Sequence, residues 1–120
     1  MTKAKSLLQG MLILTLLLGA AISPAQDDPK NFAFINYTGY EIAGLYFGAP
    51  GGVWSADFLG SDTLPNGYQR QIRFNPQAST SCYLFIKVLY LNGAEQTSSR
   101  AWNLCAIRQI NFYNGHLTAY

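Results

Sequence analysis

Charge is scarce in this chain: 12% of its 120 residues are Asp, Glu, Lys or Arg, and the formal net charge is +2. So sparse and balanced a set forms neither an acidic solvating tail nor a basic arm. No nucleic-acid partner is expected, because neutralising several phosphates takes clustered Lys and Arg. Histidine occurs once, as His116, and cysteine twice, as Cys82 and Cys105. Two thiols and one imidazole are too few to close a zinc site, so no metal and no cofactor are expected. A lone His in a turn also gives a serine triad no base, and a cysteine nucleophile would have to forgo a disulfide. Gly51-Gly52 is followed by no Walker lysine and no helix-opening Gly-x-x-Gly, which removes phosphate cradling. Paired carboxylates would have to come from Glu41, Asp57, Asp62 and Glu95, all beside turns, where acids are normally solvated. The expectation is a protein that is not an enzyme, and the length allows one small domain.

What is present divides near residue 25. Lys3 and Lys5 precede an apolar stretch from Leu7 to Ile22, and Ser23-Pro24-Ala25 supplies small residues where a signal peptidase reads. Residues 1–25 are therefore expected to be a cleaved signal peptide. The stretch is short for a membrane anchor, and it has neither a twin Arg nor a lipid-carrying Cys, so the expected product is periplasmic or secreted, with no membrane span after processing. Beyond residue 25 six positive and six negative residues balance, so the excess charge belongs to the leader. All eight Tyr, seven Phe and two Trp lie in the remainder.

Export makes a Cys82–Cys105 disulfide the default for a lone cysteine pair. Without a C-x-x-C pair the bridge reads as structural, and closing a loop of this length is worth on the order of 3 kcal/mol.

Residues 26–31 are polar and read as a flexible leader. From residue 32 to 120 the chain alternates strands and turns, and the expected fold is all-β: a small antiparallel β-sandwich of about seven strands. Strands are expected at 32–37, 42–47, 68–74, 82–91, 96–105, 107–113 and 117–120. Asn66-Gly67, Asn92-Gly93 and Asn114-Gly115 supply the positive φ that tight hairpins require. Of two registers for the hairpin around Asn92-Gly93, a four-residue loop over 92–95 pairs Leu91 with Gln96 and sets Cys82 directly opposite Cys105. That register is favoured because opposite Cβ atoms are close enough for an unstrained bridge. Strand 82–91 has two mainly apolar faces interrupted only by Lys87, and is expected to be buried on both. Strand 68–74 alternates Gln69, Gln71 and Arg73 outward against Tyr68, Ile72 and Phe74 inward.

The exception to short connections is 48–67, with one helical turn expected over 55–59 and Ser55 as its N-cap. Long ordered loops on a rigid β scaffold often carry function. Trp54, Asp57, Phe58 and Asp62 form the candidate binding surface: aromatic faces would stack on a protein or carbohydrate partner. The competing reading makes Trp54 a plug at one end of the sandwich and Trp102 a core residue. Asp57 and Asp62 in a glycine-rich loop are also a weak calcium pattern that turn hydrogen bonds explain equally well. Asn36-Tyr37-Thr38 matches a glycosylation sequon.

Asn36-Tyr-Thr-Gly39, Ile42, Leu45-Tyr46, Trp54, Asp57-Phe-Leu-Gly60, Leu64, Gly67, Ile72, Phe74, Cys82, Val88, Gly93 and Asn103-Leu-Cys105 together resemble a group of small exported proteins of Gram-negative bacteria. The resemblance covers most of residues 32–110 and its motifs are structural, so it implies export and a common fold but no activity. Some members carry the label argininosuccinate lyase. That enzyme is a long helical tetramer with a Gly-Ser-Ser signature that this chain lacks. The expected function is an exported binding or interaction module. The alternatives are a small inhibitor of a secreted hydrolase, for which 48–67 would have to project as a rigid insert, and a minor enzymatic or calcium-binding role centred on that loop.

Overall fold

The computed structural model describes residues 30–75 and 81–120. The expected signal peptide and most of the leader lie outside them. Lys30 and Asn31, the end of that leader, belong to the domain: Lys30 is buried with its Nζ 5.3 Å from the centre of the Phe74 ring, and Asn31 opens the first strand.

Eight strands form two sheets. They are β1 (Asn31–Tyr37), β2 (Ile42–Gly48), β3 (Gln69–Arg73), β4 (Tyr83–Tyr90), β5 (Glu95–Thr97), β6 (Trp102–Asn103), β7 (Gln109–Tyr113) and β8 (His116–Ala119). One sheet runs β3-β1-β7-β8; the other runs β2-β4-β5, with β6 also on β4. Every pairing is antiparallel except β1 with β7, which is parallel. The chain can make that parallel pair because it crosses to the second sheet between β1 and β7.

Alternation decides what lies between the sheets. Phe32 and Phe34 of β1, Leu45 and Phe47 of β2, Leu84, Ile86 and Val88 of β4, and Ile110 and Phe112 of β7 are buried there, as period-2 patterning requires. Phe47 lies at the centre of an aromatic cluster, edge-on to Phe32, Phe58 and Phe74 with centroids 5.9, 4.9 and 5.2 Å away. Such edge-to-face pairs add about 0.5–1.5 kcal/mol each beyond the area they bury.

Several expectations are corrected. The run 96–105 is not one strand: β5 and β6 are separated by Ser98–Ala101, and Leu104–Ala106 form a 3-10 turn, which raises the strand count to eight. Neither a two-residue loop at Asn92-Gly93 nor a four-residue loop over 92–95 closes the β4–β5 hairpin. Leu89 pairs with Glu95 and Val88 with Gln96, which leaves the three-residue loop Leu91-Asn92-Gly93, with Gly93 at φ 90°. Beyond Ser98 the register changes, since Tyr83 pairs with Asn103 and Leu84 with Trp102. Ser99 and Arg100 are the two extra residues. Cys105 reaches Cys82 from the 3-10 turn rather than from a ladder position, at a Cα separation of 5.3 Å. Strand β4 is buried on one face only: Tyr83 is exposed, and Phe85, Lys87 and Leu89 are half-buried. Tyr68 does not face inward, being 63% exposed.

The sequon residue Asn36 is fully buried. Its Nδ2 donates to the carbonyls of Tyr40 and Leu64 at 2.7 and 2.8 Å, and its Oδ1 accepts from the Thr38 amide and hydroxyl at 2.9 and 2.7 Å. With both amide hydrogens committed, the folded chain offers no nitrogen for a glycan. The motif is a tie between the first turn and the 48–67 connection.

Candidate functional site

The 48–67 connection runs back along β2 and closes its outer edge. Backbone bridges join Gly48 to Trp54 and Ile42 to Leu64. Between them, backbone and side chains share the pairing: the Ser55 and Phe58 amides donate to the Phe47 and Leu45 carbonyls at 2.8 Å, while Ser55 Oγ accepts from the Phe47 amide and Asp57 Oδ1 from the Leu45 amide, each at 3.0 Å. Asp57 Oδ1 also accepts from the Leu59 amide at 2.9 Å. An open strand edge invites pairing with other chains, and this arrangement covers it. The helical turn expected over 55–59 is absent; Ser55 serves the β2 edge instead of capping a helix, and 58–61 form a plain turn. The connection does not project as a whole. Its exposed tip is Ala49–Trp54, where Val53 is 89% exposed.

The four candidate residues are not gathered on one patch. Trp54 is 38% exposed and lies against Gly48 on the outward side of β2. Phe58 is half-buried in the aromatic cluster, 4.9 Å from Phe47 and 4.7 Å from Phe74. Asp57 is spent on backbone amides. Asp62 is exposed and pairs with Arg70 at 3.3 Å, a contact worth little in water. Trp102 packs half-buried against the core, with the Arg100 guanidinium 3.7 Å above its ring.

Trp54 does have neighbours the sequence reading missed. Gly48 packs so closely that a Cβ there would stand 2.8 Å from Cε3 of the indole. The ammonium of Lys87, on the adjacent strand β4, lies 4.7 Å from the Trp54 ring and 5.0 Å from that of Tyr46. Tyr46 and Lys87 are directly paired across β2 and β4, which fixes this cation between two aromatic faces. A signal for it existed: Lys87 is the one charge in an otherwise apolar strand. Trp54 also borders a cleft of about 540 Å³ whose wall includes Phe47, Phe58, Phe74, Leu84 and the exposed Arg73. A mainly apolar cleft with a few polar groups is the usual form of a small-ligand or peptide site.

Among the described residues, no group of three or more His, Cys, Asp or Glu is placed to hold a metal ion. Glu41 accepts a hydrogen bond from the Thr63 hydroxyl, and His116 stacks on Tyr113. No family model, no curated protein and no solved structure matches the chain.

Proposed function

We propose that this protein is an exported, non-enzymatic binding module, periplasmic or secreted after removal of residues 1–25, and that its contact surface centres on Trp54. The observation that carries the reading is the indole itself: large, partly exposed, seated on Gly48 and flanked by Lys87 and Tyr46 beside an aromatic-walled cleft. Buried aromatic anchors with a polar neighbour supply most of the energy at protein contacts, and the same faces stack on sugars. A structural disulfide agrees with an oxidising compartment.

The test is affinity capture from periplasmic extract with the processed wild-type protein and a Trp54→Ala variant of equal thermal stability. A partner retained by wild type and lost by the variant is expected. Equal recovery by both forms would remove Trp54 from the contact.

A further inference from the structure

One side of the sandwich is closed and the other is open. On the β2 side the 48–67 connection lies along the edge and buries Leu59 and Leu64 in the core. On the far side β5 and β8 end their sheets, with a small cavity of about 160 Å³ between them, walled in part by Trp102, Phe112 and Leu117. Leu117 and Ala119 of β8 pack against the core but stay half-buried.

The free edges are not protected alike. β3 carries Arg70 and Arg73, charges that discourage another strand, and β5 is three residues long before the register changes. β8 has no Lys, Arg, Asp, Glu or Pro and pairs with β7 without a bulge. The direction of its backbone groups follows from the ladder. Gln109 and Tyr120 exchange both backbone hydrogen bonds, at 3.0 and 3.4 Å. Bonded and non-bonded pairs alternate along an antiparallel ladder, so His116 and Thr118 also turn their N–H and C=O toward β7, whereas Leu117 and Ala119 turn theirs outward. Among the described residues, no backbone group bonds to those outward N–H and C=O groups.

We propose that β8 pairs with β8 of a second copy of this chain, antiparallel across a two-fold axis at Thr118, so that the two β3-β1-β7-β8 sheets become one continuous sheet. Three features select a second copy. Leu117 and Ala119 are symmetric about Thr118, so setting Leu117 opposite the partner's Ala119 gives every outward N–H of both strands a carbonyl. Thr118, exposed and uncharged, then meets its own copy, a favourable cross-strand pair with no like charges opposed. On the outer face the rings of Tyr37, Tyr113 and His116 stack in a row across β1, β7 and β8, 5.5 and 4.7 Å apart, in step with the ~4.8 Å spacing of strands. The row stops at the free edge, and the residue this register sets beside His116 is the partner's Tyr120, which is 67% exposed. A foreign strand would satisfy the backbone groups, but nothing on the edge selects its side chains. An edge this short buries little area, so the dimer is a weak one. It leaves Trp54, on the other sheet, uncovered.

The experiment is sedimentation velocity on the processed protein from about 10 μM to about 1 mM, the range in which a small interface associates. A dimer whose share rises with concentration is expected. Ala119→Pro removes an outward N–H that a single copy does not use, and it weakens association by about tenfold. Thr118→Lys and Thr118→Glu each set like charges face to face at the axis, so each alone stays monomeric, and an equal mixture of the two restores dimers. Melting temperatures report the folding of the variants, and the Thr118 pair keeps the test decisive if Ala119→Pro does not fold. A monomer at every concentration, a dimer that folded Ala119→Pro or Thr118→Lys leaves intact, or a mixture that stays monomeric would each overturn the proposal.

Discussion

Trp54 and Gly48 are packed so tightly that the glycine has no room for a side chain: a Cβ would come within 2.8 Å of indole Cε3. The sheet backbone serves as the floor on which the ring rests. Gly48→Ala therefore has to lift the indole or shift β2. An expected cost of about 1–3 kcal/mol follows from overpacking, read as a lower urea midpoint, together with a changed Trp emission spectrum. An alanine variant of wild-type stability and unchanged emission would show that the ring is not seated there.

The β2 edge makes a second prediction. Asp57→Ala removes the acceptor shared by the Leu45 and Leu59 amides and is expected to cost about 2 kcal/mol. Calcium does not restore the loss, since the carboxylate holds backbone and not an ion. Stabilisation of wild type by millimolar calcium, absent in the variant, would point to the ion instead.

Much of this molecule was legible in its sequence. Alternation and the Asn-Gly pairs were enough for β1, β2, β3 and β8, because a half-buried strand and a positive-φ turn both leave local signatures. The cysteine pairing was legible too, though its route was not. A direct cross-strand bridge assumed one continuous register, whereas the two extra residues near Ser99 and the 3-10 turn at Leu104–Ala106 depend on how Trp102 and Leu104 settle into the core. The role of Asp57 was hidden for a similar reason. A turn acid looks the same whether it meets water or the amides of a strand twelve residues away. Lys87 stood out in its strand, but only the fold reveals Tyr46 and Trp54 beside it.

Asn36 supports a third prediction. Asn36→Ala strands the Thr38 amide and removes one of two donors from each of the Tyr40 and Leu64 carbonyls, which keep the Thr38 hydroxyl and the Ile42 amide, so a loss of about 2 kcal/mol is expected in denaturant unfolding. Produced in a glycosylating host, the folded wild-type protein should show an unmodified mass at this position. A glycan on Asn36 in protein of native stability would contradict the buried amide.

Removing the bridge by a double Cys82→Ser and Cys105→Ser change frees a pair 23 residues apart in sequence and should cost about 3 kcal/mol. Calorimetry on oxidised, reduced and substituted forms checks this: the last two should melt together and below the first.

Alkaline pH gives a fifth prediction. Burial raises the Tyr90 phenol above its ordinary 10.0; a hydrogen bond with Thr38 opposes the shift, and Tyr40 nearby adds to it. The native state then holds this proton more tightly than the unfolded chain does. Its contribution is complete below pH 10 and is lost as pH rises through the higher folded value. Tyr90→Phe, which also forfeits the bond to Gln96, is expected to be less stable at neutral pH but to lose less stability between neutrality and strong alkali. Parallel pH profiles for the two proteins would contradict this.

The proposed contact lies on the Trp54 side of the molecule. It is tested most directly by placing a photo-crosslinking amino acid at Val53, exposed beside the indole, and at Leu91, 61% exposed on the β4–β5 turn, and irradiating cells that export each variant. A discrete adduct from position 53 and none from position 91 is predicted. No adduct from 53, or equal adducts from both, would contradict it.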